Sequence, residues 1–532
     1  MTAASPLSPR DLQQRAVSGA AWTLLHTLVS LPLAFAVNVA LARVLGVADY
    51  GRLALLTAVI AIASSIVSSG VGSALTQFGA KAHAAGRRRE VQDLLARNQG
   101  FRLMIVAPFL TATVILFVDL PLTLMVVALF FGVWLPAFSA GGPAGLTLEN
   151  RTAAGARLAM LTALLMQLSA ILVLVVAPSA ERVWAARTVV GGVLAFVALW
   201  LISRDYRKAA ISPRWPFALP RRFWSFALPA SASGIIAALA ASRSETVLLE
   251  ILSDSTQLGL YALAFGLAGH LFAPAQALLN PLIPAVSGLR EVEPVAVGPA
   301  FGRTLRTTST IGGLVLAGGA PVLALLVPAI YGEAYAGARA LVLALAVVAG
   351  INLLTAPMEA FTSARLRGKS LLAMNASTLL FGVAIGILLI PSFGAWGAVW
   401  AKLAITVGRL VFFVIFERMS FGVGFVQLIL AATPVLLSSV AGIAGYALAR
   451  TLMMAWNVES LLGVLGLAAG VGAIASALFV ASLWVFRSGL TSGDAQVISR
   501  QGGSRLGRPL AMSLRLVSHA QDLREAGPQR SR

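Results

Sequence analysis

The chain has no cysteine among its 532 residues, only four histidines and only 20 acidic residues. The missing thiols exclude disulfides, thiolate nucleophiles and Cys-type metal sites, and they leave the redox compartment unmarked. Charge of either sign is scarce. Asp, Glu, Lys and Arg make up 11% of the chain, against about 25% in soluble domains. The usual signatures of nucleotide and metal chemistry are missing too. No glycine-rich loop precedes a Lys-Ser/Thr pair, no His-Glu-x-x-His occurs, and no nucleophile–base set stands out. ATP hydrolysis is therefore not expected, and neither is any other catalytic residue, metal or cofactor.

What the chain has instead is apolar surface: 58% of its residues are hydrophobic. They gather in fourteen runs, at 22–45, 53–79, 103–119, 121–140, 158–178, 182–202, 223–251, 258–287, 307–331, 338–363, 371–391, 395–416, 425–449 and 461–486. A run of about 20 apolar residues spans the hydrocarbon core of a bilayer as a helix. The expected fold class is an all-α polytopic membrane protein with about 14 transmembrane helices. The first run is too long for the apolar core of a signal peptide, about 7–15 residues.

The formal net charge is +20. In a soluble protein that would point to nucleic acid; here its placement points to a membrane surface. The odd gaps and the run edges beside them hold only Arg52, Arg182, Arg339 and Arg450, and the interiors of the runs hold only Arg43, Arg187, Arg243, Lys402 and Arg409. The remaining Lys and Arg lie in the tails and the even gaps, where they would face anionic membrane lipids. Lys and Arg collect on the cytoplasmic side, so both termini are expected there, which agrees with an even helix count. No partner of nucleic-acid type is expected.

The organisation reads as a cytoplasmic N-tail at 1–21, an N-lobe of six spans at 22–202, a cytoplasmic linker at 203–222, a C-lobe of six spans at 223–416, two further spans at 417–486, and a disordered cytoplasmic tail at 487–532. The two six-helix lobes would stand in a pseudo-twofold arrangement about the membrane normal, with substrate near mid-membrane between them. An internal echo supports the division: Trp22 opens span one and Trp224 opens span seven, and Leu45-Gly46-Val47-Ala48-Asp49-Tyr50-Gly51 finds a counterpart between Leu252 and Ala262. The odd gaps are too short to fold as an external domain.

Several stretches carry a family pattern. They are Gly19-Ala20-Ala21-Trp22, Leu41-Ala42-Arg43-Val44-Leu45-Gly46, Tyr50-Gly51, and Ser69-Gly70-Val71-Gly72 ahead of Lys81. Later come Phe226-Ala227-Leu228-Pro229 and Gly259-Leu260-Tyr261. In order, spacing and helix count the chain resembles the polysaccharide-biosynthesis flippases, the O-antigen and teichoic-acid exporter family of the multidrug/oligosaccharidyl-lipid/polysaccharide (MOP) superfamily, over roughly residues 1–450. The resemblance implies a transporter of the bacterial cytoplasmic membrane. It would move a polyprenyl-pyrophosphate-linked glycan from the inner to the outer leaflet by alternating access, with polysaccharide assembly enzymes as neighbours.

Such a substrate must carry pyrophosphate and sugar across hydrocarbon, where an unpaired charge costs several kcal/mol. Ionisable residues within spans are therefore the first candidates. Arg43 reads either as a phosphate ligand or outer gate, or as an arginine whose head reaches the headgroups. Arg243, deep in span seven with Glu245 close by, reads as a cavity cation or as half of a structural pair. Lys402 and Arg409 are seven residues apart on span twelve, which places both on one helix face, and Glu359 on span ten is the expected counter-ion of Arg409. A salt-bridged helix contact gives the same pattern. Arg187 reads as interfacial. Gln77, Gln276 and Asn280 are uncharged candidates for sugar contacts, or else interhelical hydrogen bonds.

Two other functions compete. A multidrug or cation exporter of the same superfamily would need a carboxylate inside a lobe, and the first six spans have no Asp or Glu away from their ends. A membrane polysaccharide polymerase or ligase would need a sizeable outer loop.

Overall fold

The computed structural model describes residues 9–68, 71–84, 86–117, 120–149, 151–219, 221–238, 244–279, 286, 297–364, 368–421, 425–456, 460–491 and 494. The chain is helical nearly throughout. The first helix, α1 (Pro9–Ser68), covers two expected spans and bends at Gly46, whose φ of 78° is open to a residue without a Cβ. Next come α2 (Val71–Ala84) and α3 (Arg88–Phe101), which runs through a π-helical turn (Arg102–Val106) into α4 (Ala107–Phe117). Span four is built from α5 (Leu122–Val127), a second π-helical stretch (Ala128–Trp134) and α6 (Leu135–Ser139), followed by α7 (Gly141–Leu148). Then follow α8 (Thr152–Val176), α9 (Ala180–Leu201), the short α10 (Arg204–Ala210), α11 (Arg221–Ala238), α12 (Ser244–Leu252) and α13 (Ser255–Leu279). The series ends with α14 (Val297–Tyr331), α15 (Ala338–Ala364), α16 (Gly368–Phe393), α17 (Ala395–Phe421), α18 (Phe425–Trp456) and α19 (Leu461–Val485).

Among the described residues, 11 helices are long and apolar enough to cross a membrane. Their count is compatible with fourteen spans, because α1 holds two spans in one bent helix and spans three and seven are built from shorter pieces. Prolines sit inside α1, α11, α13, α14, α15, α16 and α18. Membrane helices tolerate them because neighbouring groups re-satisfy the freed carbonyls.

The side-chain distribution is that of a protein solvated by lipid. Leu172, Val175 and Val176 of α8, Leu388 of α16, Leu462 and Val485 of α19 are all more than half exposed, while Thr308, Ser309, Thr310, Thr355, Thr406 and Ser438 are buried. Apolar groups face outward and hydroxyls inward, where several bond a carbonyl of the preceding turn, as Thr406 Oγ1 does to Lys402 O at 2.9 Å. The protein is thus a multi-pass membrane protein.

Two compact units emerge, the first comprising residues 1–259 and 368–383, the second 260–367 and 384–532. In the first, α1 packs on α8 and α9, and α11 packs on α1 and α2. Its apolar core includes Leu75, Leu95, Leu199, Tyr206 and Phe223 toward one end and Leu41, Leu56, Val183 and Trp184 toward the other. Within this unit the two echoed glycine segments meet. A Cβ on Gly51 would lie 2.5 Å from Ser255 O, and one on Gly259 would collide with Val47 O. In the second unit, α14 is the hub, packed against α15, α18 and α19, and α15 packs on α17.

The segment expected as a linker is folded rather than slack. Its backbone at Arg214 donates to Ala96 O at 3.0 Å, and Arg97 Nη1 donates to Trp215 O at 3.0 Å. The chain also continues in contact with the second unit past α19: Ser488 and Leu490 are buried, and Asp494 accepts two hydrogen bonds from Arg306. Residues 495–532 lie outside the described residues.

Candidate functional site

In the second unit, polar side chains line up where α15 meets α17. Arg409, 7% exposed, donates from Nη2 to Glu359 Oε2 at 2.7 Å and from Nη1 to Asn352 Oδ1 at 3.3 Å. Glu359 and Asn352 are seven residues apart on α15, so both reach the same stripe of α17. Lys402, two turns before Arg409, is 6% exposed, and its ammonium lies 5.5 Å from the ring centre of Phe265 on α13. A cation over an aromatic face gains electrostatic attraction. Lys402 and Arg409 therefore both turn inward, and the Arg409 guanidinium has a carboxylate and an amide to hold its orientation.

The first unit holds a further buried cation, at the edge of the third apolar run. Arg102 opens the π-helical turn after α3 and is 5% exposed. No acceptor meets its Nε, and no carboxylate pairs with it among the described residues. Asn98, one turn earlier on the same face, is 1% exposed, and neither of its amide atoms has a partner. Gln99 is fully buried; its Nε2 donates to Ala137 O at 3.3 Å and Phe138 O at 2.9 Å, while its Oε1 has no donor. A Cβ placed on Gly72 would lie 3.2 Å from Arg102 Nη2, so the guanidinium lies against α2 at Gly72.

The other expected site residues are scattered. Arg43 is exposed on α1 and Gln276 is exposed on α13. Glu245 is 1% exposed in the first turn of α12. Arg243 and Asn280 lie outside the described residues, as does the side chain of Gln77 on α2. Arg187, read as interfacial, turns to α8 and donates from Nη2 to Gln167 Oε1 at 2.8 Å.

Outside the spans, two carboxylates organise arginines. Asp93 accepts from Arg97 Nε at 2.6 Å and from Arg214 Nη1 at 3.0 Å. Asp494 accepts from Arg306 at 2.8 and 3.0 Å and lies 3.4 Å from Arg303. Burial alone would raise both carboxyls. The hydrogen bonds and charge of the arginines outweigh it, so each titrates below the ordinary carboxylate range. Among the described residues no group of three or more His, Asp or Glu is arranged to hold a metal ion.

An all-helical, multi-pass chain with polar residues turned inward is the architecture of a membrane transporter. Residues 16–287 match the family described as "Polysaccharide biosynthesis protein". The chain belongs to that family. Its fold is shared with solved members of the MOP superfamily. One is the lipid II flippase MurJ in an inward closed conformation, with a TM-score of 0.56 at 13% identity, over 87% of this chain and 99% of that one. Another is an inward-facing multidrug resistance MATE family transporter, with a TM-score of 0.54 at 16% identity, over 76% and 98%. A third is a MOP superfamily transporter from Pyrococcus furiosus described as having a binding pocket of reverse polarity, with a TM-score of 0.50 at 14% identity, over 77% and 96%. No curated protein sequence matches the chain.

Proposed function

We propose that this protein is a flippase that carries a polyprenyl-pyrophosphate-linked oligosaccharide from the inner to the outer leaflet of a bacterial cytoplasmic membrane by alternating access, for cell-surface polysaccharide synthesis. The observation that carries the reading is the sign of the buried charge. Arg102, Lys402 and Arg409 are each less than 9% exposed within or beside the spans, whereas the acidic residues buried to that degree among the described residues are Glu245 and, past α19, Asp494, which is bonded to Arg306. A positive interior suits an anionic headgroup, and family membership supplies the polysaccharide context. The basic even gaps favour both termini on the cytoplasmic side. The polyprenyl chain stays in lipid, so the protein needs to shelter only pyrophosphate and sugar.

The test is translocation in proteoliposomes of the full chain, loaded with a fluorescent polyprenyl-pyrophosphate sugar and quenched from outside. Time-dependent, protein-dependent loss of protected signal is the expected result, with a slower rate in Lys402→Ala. Folded protein that leaves the lipid-linked sugar in place but moves a lipophilic cation would overturn the proposal in favour of a cation exporter.

A further inference from the structure

The geometry points to a binding surface for anionic lipid headgroups on the segment between spans six and seven, within the first unit. It goes beyond the transport reading and does not depend on what is carried. Trp215 and Phe217 on this segment are more than half exposed, as is Trp200 in the last turn of α9, and Ile211 is exposed between them. Large apolar side chains held out together mark an interaction surface. The question is what covers them, and both ends of the segment answer alike.

At the far end, the turn that carries Trp215 is clamped to α3. The Arg214 N–H donates to Ala96 O at 3.0 Å, Arg97 Nη1 donates to Trp215 O at 3.0 Å, and any Cβ at Gly100 would collide with Arg214 O. The ring of Trp215 lies 5.7 Å from that of Phe217, which lies 5.6 Å from that of Trp224 in the first turn of α11. Trp224 shares a helix face with the exposed Leu228, four residues on. The two loop rings thus prolong an outward apolar stripe of span seven beyond the end of its helix. At the near end, Trp200 lies seven residues after the exposed Val193 and prolongs a stripe of span six in the same way. The Arg207 guanidinium lies 5.0 Å from the Trp200 ring centre, and its Nη2 donates to Trp200 O at 2.9 Å and Ile202 O at 3.1 Å. That contact fixes a cation beside the ring.

Charge selects the lipid. α10 buries Tyr206 and Ala210 and turns Arg204 and Lys208, four residues apart, outward together with Ile211. Arg221, three residues before Trp224, is exposed at the start of α11. Asp205 is the one acidic residue in 203–222, against six Lys and Arg. Aromatic rings that continue lipid-facing stripes belong at the boundary between acyl chains and headgroups. Basic side chains at that boundary favour anionic headgroups over zwitterionic ones. A protein partner would also cover exposed rings, but it would not explain why both ring sites run on from the outward faces of spanning helices.

The experiment uses the full chain in nanodiscs of mixed phosphatidylcholine and phosphatidylglycerol, with one lipid or the other brominated high in its acyl chains. Bromine quenches a tryptophan that touches the labelled lipid. The signal of each ring is the difference between wild type and Trp200→Phe or Trp215→Phe, which cancels the other tryptophans and keeps an aromatic ring in place. Both signals should be quenched, and brominated phosphatidylglycerol should quench them at least about threefold more effectively than brominated phosphatidylcholine at equal mole fraction. Arg204→Gln with Lys208→Gln should bring the two lipids close to level for Trp200. An unchanged unfolding temperature shows that each variant is folded. Equal quenching by the two lipids in the wild type overturns the headgroup site. Quenching by aqueous iodide and by neither lipid overturns the membrane contact and leaves the surface to a protein partner. A preference for phosphatidylglycerol that survives intact in the double variant overturns the assignment to Arg204 and Lys208.

Discussion

Arg102 in the first unit and Arg409 in the second are buried to nearly the same depth, 5% and 7% exposed, yet their surroundings differ in kind. Arg409 has Glu359 at 2.7 Å and Asn352 at 3.3 Å. Arg102 has no carboxylate against it among the described residues, and its neighbours Asn98 and Gln99 carry unsatisfied amide atoms. One site is complete within the protein and holds two helices in register. The other shows no counter-charge among the described residues. Depth and charge alone do not distinguish a paired arginine from an unpaired one; the partner inventory does.

The strongest way to break the comparison is to remove the partner. Glu359→Gln leaves the Arg409 guanidinium buried with no carboxylate, and the expected loss is about 1.5–3 kcal/mol, the value of a charged hydrogen bond. The lower part of that range applies because Glu359 is itself 38% exposed. The exchange Glu359→Arg with Arg409→Glu should recover most of the loss. Thermal unfolding in nanodiscs measures both; a double variant no better than Glu359→Gln would mean that the pair does not act as a pair.

The converse change sharpens it. Arg102→Met removes a buried charge with no carboxylate against it among the described residues, so the protein should be unchanged or more stable, by about 1 kcal/mol or more. If Arg102→Met destabilises the ligand-free protein as much as Glu359→Gln does, the two arginines have the same role and the contrast collapses.

The two sites were also unequally legible in the sequence. The spacing of Lys402 and Arg409 on one apolar run, with a carboxylate at matching depth on span ten, was sufficient to anticipate the Arg409–Glu359 contact. Arg102 was hidden by its neighbours. It follows a polar stretch and directly precedes an apolar run, so it reads as a flank. The available signal was the helical period that starts earlier: Val91, Leu94 and Leu95 are buried, so the helix is already under way at 88 and carries Asn98 and Arg102 inward on one face. The docking of 203–222 was hidden for a related reason. Charge and proline mark 203–222 as polar connection, whereas its docking depends on Asp93, more than a hundred residues earlier, and on Gly100, where any Cβ would collide with Arg214 O. The bend at Gly46 was legible as a gap between two runs; its contact with a distant second glycine segment was not.

The smallest expected effects come from the two carboxylates outside the spans, which repeat the comparison in milder form. Asp93 is 36% exposed and Asp494 is 6% exposed, and each is bonded to arginines. Both carboxyls titrate below the ordinary range. A depressed carboxylate stabilises the fold fully above its unfolded pKa, about 3.9 for Asp, and the contribution is lost as pH falls through the lower folded value. Both contacts should therefore be unchanged between pH 8 and pH 5 and weaken only below about pH 4. At neutral pH they should separate by burial. Asp93→Asn removes solvent-screened pairs and should cost about 0.2–1 kcal/mol. Asp494→Asn leaves Arg303 and Arg306, each about a third exposed, without their anion, and should cost about 1 kcal/mol. Because Asp494 belongs to the segment that returns from α19 to α14, its loss should show locally: trypsin should cut at Arg487 several times faster in Asp494→Asn than in wild type, with the unfolding temperature of the spans little changed. Equal cutting rates would mean that buried Ser488 and Leu490 hold the segment without the ion pair.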